Sequence, residues 1–96
     1  MHFNKAQKIL KAHHDDLSEY GVRALAVFGS IARDEATKGS DIDILVDFDS
    51  KKGLFMFVGL KNYLESILGC EVDLVTKKAL HPALKKRIIS EARQIF

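Results

Sequence analysis

The sequence has few cysteines, no long apolar run and little net charge, and each shortage excludes a class of protein. Its single cysteine, Cys70, excludes an internal disulfide and fits a reducing compartment. No apolar run resembles a secretion signal or approaches the length of a membrane span. The net charge of +2 is too weak to indicate a polyanion-binding surface. We therefore predict a cytoplasmic protein with no membrane association and no direct nucleic-acid binding.

Length and composition favour one small folded domain. The chain has 96 residues, which leaves room for a single domain over residues 1–96. Its apolar share of 47% and charged share of 29% are those of an ordinary globular protein. No internal repeat, low-complexity tract or linker interrupts it. The domain prediction therefore covers the whole chain.

Hydrophobic periodicity predicts helices and strands in the order αβαβαβα. Apolar or alternating stretches predict strands over residues 23–28, 41–48 and 71–76. Helical spacing predicts one helix from Phe3 until Gly21 and a short one from Ser30, as its N-cap, to Ala36. Further helices are predicted over 54–68 and from Pro82, the latter with Leu84, Ile88, Ala92 and Ile95 facing inward. This is a layered α/β fold, whose strand order and direction the pattern leaves open.

Three aspartates lie on two of these predicted strands. Asp41 and Asp43 are two residues apart, so they share a face with roughly 6.6 Å between their Cα atoms. Asp73 lies on the next strand along the chain. Carboxylates that converge in a low-dielectric site repel one another, and divalent cations remove that repulsion. Oxygen ligands suit Mg²⁺, and two such ions can hold the attacking and leaving oxygens of a phosphoryl displacement.

The segment after the first strand has the features of a phosphate-binding turn. Gly29 and Ser30 break the strand where a helix opens, so free backbone N–H groups can face an anion. Arg33, one helical turn along, can face the same anion, and Ser40 either shapes the following turn or contacts a phosphate. Together with the aspartates, this arrangement predicts a site for a nucleoside triphosphate with Mg²⁺.

The combined motif resembles the signature of a known enzyme superfamily. The pattern G-S-x-A-R, six residues and then S-D-x-D is similar to that of the polymerase-β-type nucleotidyltransferases. The short form, with EVDLVT downstream, resembles the minimal nucleotidyltransferases that act as antitoxins beside HEPN-domain ribonuclease toxins. The resemblance implies a mixed sheet, metal binding by Asp41 and Asp43, and metal binding with activation of the attacking hydroxyl by Asp73. It also implies that Gly29 and Ser30 hold the triphosphate.

The resemblance further implies a reaction on a partner protein. The expected activity is Mg-dependent transfer of AMP from ATP to a hydroxyl, expected to be a tyrosine, of a HEPN toxin, with the chain acting as antitoxin. Two alternatives stay open at this stage. The chain could neutralise its partner by binding alone, or it could modify a small molecule such as a hydroxylated antibiotic.

Two features outside the motif suggest contacts with other molecules. Lys77 follows the Asp73 strand and is the basic residue that we would test for triphosphate contact. Phe55 and Val58 lie toward the polar side of the helix over 54–68, whose inner stripe is already apolar. They indicate either a docking surface or a wide core.

Overall fold

The fold is a mixed sheet with helices, seen in a computed structural model that describes residues 1–35 and 41–96. The helices are α1 (Phe3–Ala12), α2 (His14–Glu19), α3 (Gly29–Ala32), α4 (Gly53–Leu68) and α5 (Pro82–Glu91). The strands are β1 (Val22–Phe28), β2 (Ile42–Phe48), β3 (Val72–Thr76) and β4 (Arg93–Gln94). Single 3-10 turns are formed by Ser50–Lys52 and Lys77–Ala79. The predicted α/β class is confirmed.

The sheet has the strand order β3-β2-β1-β4. β1 is antiparallel to both β2 and β4, whereas β2 and β3 are parallel and connected through α4. The C-terminal end of β1 therefore lies beside the N-terminal ends of β2 and β3. Cα pairing aligns Phe28 with Asp43, and Asp43 with Asp73. One end of the sheet thus collects the chain segments that carry the motif.

The main core lies between one sheet face and helices α1, α2 and α4. The predicted alternation in β2 is borne out, because Ile42, Ile44 and Val46 are fully buried on this face. Core residues from the helices are Phe3, Ala6, Leu10, Leu17, Leu60, Leu64 and Leu68. The opposite face of the sheet carries the aspartates, and α5 packs near β1 and α3. The main core therefore covers one face of the sheet, and the aspartates lie on the other face.

The first predicted helix is two helices that meet at His13. His13 has φ −106° and ψ 20°, outside the regular helical values. Its Nδ1 atom lies 2.8 Å from the carbonyl oxygen of Ile9, the acceptor that the His13 backbone N–H would use in a continuous helix. The backbone N–H of His13 bonds Leu10 instead. The side chain thus competes for the helical acceptor where the helix breaks.

The prediction for the C-terminal segment was wrong in two respects. Helix α5 ends at Glu91, and the chain continues as β4 along the edge of β1. Ile95 N–H donates to the carbonyl of Leu25 at 2.8 Å, so Ile95 reaches the core from the sheet and not from the helix. Leu84, which was predicted to face inward, is 51% exposed. Strand β4 forms because it pairs with an edge of β1 that would otherwise have unsatisfied backbone N–H and C=O groups.

None of the helices formed by the described residues is long and apolar enough to cross a membrane.

Candidate active site

The structure brings Asp43 and Asp73 side by side. They are Cα partners in the parallel pair of β2 and β3, so their side chains project from the same sheet face. Partial burial raises the pKa of Asp43, and the charges of Asp73 and Asp41 and a hydrogen bond with the Asp73 side chain raise it further. A half-buried carboxylate next to a second one is a site that favours a cation or a proton.

Gly29 lies directly against Asp43. Its φ of +71° is in the left-handed region, which glycine adopts without strain. A Cβ atom placed on Gly29 would fall 3.0 Å from Cγ of Asp43 and closer still to its Oδ2. Only glycine therefore lets the Asp43 carboxylate occupy this position, and a phosphate bound at Gly29 would lie next to that carboxylate.

Asp41 lies just before β2 and is exposed. Its charge acts on Asp43 and helps to raise the pKa of that carboxyl group. Asp41 and Asp73 also line an open cavity of about 460 Å³, together with Lys61, Glu65, Glu71 and Val72. The group of aspartates therefore borders Gly29 through Asp43 and the polar cavity through Asp41 and Asp73.

Helix α3 begins at Gly29 and comprises a single turn. The prediction that Ser30 is the N-cap of a helix reaching Ala36 was wrong. Phe28 occupies the N-cap position, no side chain caps the helix, and the helix ends at Ala32. Because the first N–H groups of a helix have no acceptor within it, this turn still presents donors beside Asp43. Ser30 lies within that turn.

Arg33 is near the aspartates and is paired with two carboxylates. Its Nε atom donates to Glu35 at 3.0 Å and its Nη1 atom to Glu91 at 3.1 Å. The positive charge of Arg33 still acts on Asp43, where it lowers the pKa against the other influences. A phosphate group would therefore compete with Glu35 and Glu91 for this guanidinium. Sequence reasoning missed Glu91, since no local signal connects it with Arg33.

Two other predicted contacts do not fall in this group. Ser40, like the rest of 36–40, lies outside the described residues. Lys77 follows the C-terminal end of β3, whereas Asp73 lies near its N-terminal end. With about 3.3 Å per strand residue, the two Cα atoms are about 13 Å apart. Lys77 instead lines a cavity of about 130 Å³ with Leu45, Ile89 and Gln94. Lys77, the basic residue to be tested for triphosphate contact, therefore lies away from the Asp73 end of β3.

The donor set suits Mg²⁺ with a bound nucleotide better than Mg²⁺ alone. Within residues 1–35 and 41–96, no three His, Cys, Asp or Glu side chains are close enough together to hold a metal ion. Mg²⁺ is commonly held by one or two carboxylates, with water and substrate phosphates completing its shell. The Asp43–Asp73 pair beside Gly29 offers that partial set. The residues present therefore fit the predicted ion as a partner of a triphosphate.

Comparison of the sequence with known proteins gives matches over most of the chain. The family described as "Nucleotidyltransferase domain" matches residues 6–96. The chain is 46% identical over 86 residues to protein adenylyltransferase MntA of Thermococcus cleftensis, covering 88% of this chain and 87% of that protein.

Solved structures extend the comparison to the fold. A structure described as a minimal nucleotidyltransferase superposes with a TM-score of 0.85 at 34% identity, covering 97% of this chain and 95% of that one. A toxin–antitoxin structure with AMP-PNP superposes with a TM-score of 0.73 at 25% identity, covering 95% of this chain and 72% of that one.

Proposed function

This chain belongs to the nucleotidyltransferase domain family, and on that premise we propose that it transfers AMP from ATP to a hydroxyl group of a partner toxin. The observation that carries the proposal is the contact of Asp43 with both Gly29 and Asp73. It joins a phosphate-binding turn to a carboxylate pair within one small group of atoms. In this proposal the chain is the antitoxin of a cytoplasmic pair.

The triphosphate is proposed to lie along the first turn of α3. The N–H groups of Ser30 and its neighbours donate to phosphate oxygens, and the bare Cα of Gly29 lets the phosphates approach the backbone. Arg33 turns from its carboxylate partners toward the triphosphate, and Ser40, which lies outside the described residues, is proposed as a further phosphate contact. The α-phosphate then lies beside Asp43.

Asp41, Asp43 and Asp73 are the residues that would hold Mg²⁺, proposed as two ions. When bound, the ions neutralise charge on the phosphates and on the attacking oxygen. The three aspartates supply the oxygen ligands for this purpose. Burial, and then the charges of Asp73 and Asp41, raise the pKa of Asp43, and a bound cation would offset both of these penalties on its negative charge.

The acceptor is proposed to enter from the side opposite to Gly29. In-line displacement requires the attacking oxygen and the leaving pyrophosphate on opposite sides of the α-phosphorus. The strand order supports this direction, because Asp73 and its cavity belong to β3, whereas Gly29 follows β1 on the other side of β2. The acceptor oxygen forms a bond to the α-phosphorus, the bond to pyrophosphate breaks, and the acceptor proton passes to Asp73 as general base.

The partner is proposed to be a HEPN-domain toxin with a tyrosine acceptor. The similarity to a protein named protein adenylyltransferase MntA supports a protein acceptor. The likeness to a toxin–antitoxin structure with AMP-PNP supports both ATP as substrate and assembly with a toxin. A nucleotide on the toxin adds negative charge and bulk, which would block a ribonuclease by repulsion and steric hindrance.

The proposal is tested by weighing the partner. The purified chain is mixed with the toxin encoded beside it, ATP and Mg²⁺, and the intact mass of the toxin is measured. We expect the mass to rise by one or more AMP groups. Asp43→Asn should slow this transfer by more than about 100-fold, because a metal ligand of the reacting centre is lost.

Asp15→Asn is the matched control, because Asp15 is an exposed acid on α2, a helix that carries none of the motif residues. It should transfer AMP at the wild-type rate. An unchanged toxin mass, with the chain shown to bind ATP, would reject the proposal. If Asp43→Asn still neutralised the toxin fully in cells, binding alone would explain the inhibition.

A further inference from the structure

The start of α4 carries an exposed apolar surface, here called the α4 patch, which consists of Leu54, Phe55 and Val58. These side chains are 74%, 95% and 49% exposed, respectively. The helix already buries Leu60 and Leu64 on its inner side. The wide-core interpretation of Phe55 and Val58 is therefore wrong, and their exposure needs another explanation, since contiguous apolar patches mark interaction sites.

An apolar groove adjoins the α4 patch. Its volume is about 420 Å³, and Leu54 forms one of its walls. The remaining lining is mostly apolar and includes Phe48 at the end of β2, Phe57 of α4 and Leu74 of β3. Protein–protein interfaces often have such a core, in which an exposed aromatic side chain inserts into the partner and a neighbouring groove accepts apolar side chains of the partner.

Lysines surround this apolar surface. Lys51 and Lys52 precede α4 and are exposed. Lys77 and Lys78 line a neighbouring cavity with Asp47, which is the acid on this rim. The remaining nearby carboxylate, Asp49, is already paired with Arg23 at 3.3 Å. The rim is thus positive, so it complements a surface that is acidic around an apolar centre.

The α4 patch lies away from the aspartates. Asp43 is near the start of β2, and Phe48 ends that strand. At about 3.3 Å per residue, the two positions are about 17 Å apart along the strand. A partner seated on the α4 patch would therefore leave Gly29 and Asp43 open to ATP.

We propose that the partner toxin docks on the α4 patch through an apolar surface with an acidic rim. This inference rests on the proposed function for the identity of the partner. Phe55 is the central anchor, the groove receives apolar side chains of the toxin, and the lysines pair with its acidic groups. The contact holds the two proteins together independently of nucleotide transfer.

The experiment measures the affinity of the purified chain for the toxin by isothermal titration calorimetry without ATP. Phe55→Asp should weaken binding at least about 30-fold, the size typical of an interface hot spot. The charge-reversal pair Lys51→Glu and Lys52→Glu should weaken it about fivefold and make binding less sensitive to salt. Phe55 is almost fully exposed, so its substitution leaves the packing of the core unchanged.

Leu84→Asp is the matched control, because Leu84 is an exposed apolar residue of α5 away from the α4 patch. It should bind the toxin like the wild type. Equal binding by Phe55→Asp and the wild type would overturn the docking proposal and leave the proposed function intact. If the wild type bound no toxin, the proposed function itself would fail.

A second copy of this chain is the competing occupant. Sedimentation of the wild type and Phe55→Asp, each without toxin, separates the cases. A wild-type dimer that becomes a monomer in Phe55→Asp, with unchanged toxin affinity, would overturn the proposal in favour of self-association.

Discussion

The carboxylate of Asp43 rests against the bare Cα of Gly29, in the space that a Cβ atom would fill. Gly29 ends β1 and opens α3, while Asp43 belongs to β2, so the contact joins two strands at one end of the sheet. Two features of the structure therefore require glycine at position 29. Its φ of +71° is strained for other residues, and its missing side chain makes room for an acid.

Gly29→Ala should therefore cost more than backbone strain. The added methyl group pushes the Asp43 carboxylate away from Asp73 and obstructs the path of a phosphate. We expect AMP transfer to fall by more than about 100-fold, since misplacement by about 1 Å can cost that much. The measurement is the initial rate of toxin modification at saturating ATP.

Gly69→Ala separates the two effects. Gly69 has nearly the same φ, +70°, and no atom within 4 Å of an added Cβ. Gly69→Ala should lose about 1 kcal/mol of unfolding free energy from left-handed strain alone, and Gly29→Ala should lose more because its methyl group also displaces Asp43. Only Gly29→Ala should lose activity. Comparable activity losses in the two variants would contradict the crowding explanation.

The raised pKa of Asp43 gives the stability of the metal-free chain a defined pH dependence. The folded chain holds this proton more tightly than the unfolded chain does. The stabilising contribution is therefore present below the ordinary pKa of an aspartate and is lost as pH rises through the raised pKa. Asp43→Asn removes the charge and keeps the shape. Without metal ions, its Tm should exceed that of the wild type at pH 7, and the difference should shrink toward pH 3.

Differential scanning fluorimetry in EDTA, followed by the same scan with Mg²⁺ and AMP-PNP, checks this prediction. The ligands should raise the Tm of the wild type more than that of Asp43→Asn, because a ligand at a given concentration stabilises the folded state more when its Kd is lower. A metal-free Asp43→Asn chain that melts below the wild type at pH 7 would contradict the idea that burial and repulsion from Asp73 and Asp41 penalise the Asp43 charge.

The pairing of Arg33 with Glu91 should weaken ATP binding. Glu91 competes for the guanidinium, so Glu91→Gln should lower the KM for ATP about two- to fivefold, the range of an exposed ion pair. Arg33→Ala should raise that KM about tenfold, because a charge-assisted contact to phosphate is lost. Steady-state kinetics with varied ATP gives both values.

The double variant decides whether these effects are connected. In the Arg33→Ala background, Glu91→Gln should leave the KM for ATP unchanged, since there is no guanidinium to release. An undiminished effect of Glu91→Gln would show that Glu91 acts by another route, such as direct repulsion of the phosphates.

Lys77→Ala should leave ATP affinity unchanged. Lys77 and Asp73 lie at opposite ends of β3, with about 13 Å between their Cα atoms at 3.3 Å per residue. Fluorescence titration with a labelled ATP analogue measures the Kd, and Arg33→Ala serves as the variant that should weaken binding. A loss of affinity in Lys77→Ala similar to that in Arg33→Ala would restore Lys77 as a phosphate contact.

The parts of the fold that the sequence predicted are those with local causes. The alternation from Ile42 to Phe48 marks a strand because successive side chains face opposite sides, whatever the neighbouring strands are. Gly69 ends α4 in the left-handed conformation that helix ends favour. The helix of residues 54–68 and the strand before it were therefore placed to within a residue or two.

The features that sequence reasoning missed depend on distant partners. Strand β4 forms because Arg93 and Gln94 pair with the edge of β1, and the two residue types by themselves do not predict a strand. Glu91 meets Arg33 across 58 positions of the chain. The parallel direction of β2 and β3, which brings Asp43 opposite Asp73, is likewise a property of the assembled sheet. The chemical roles of the motif residues remain predictions.

The apolar residues of β2 and β3 help to fix the alignment of Asp43 with Asp73. A slip of one position between these strands would move every side chain of β3 to the other face and carry Asp73 into the interior. The apolar side chains behind the sheet, Ile44 and Val72 among them, penalise such a slip because they would emerge into water. A laboratory selection for faster AMP transfer should thus recover substitutions at these buried apolar positions as well as next to Asp43 and Asp73.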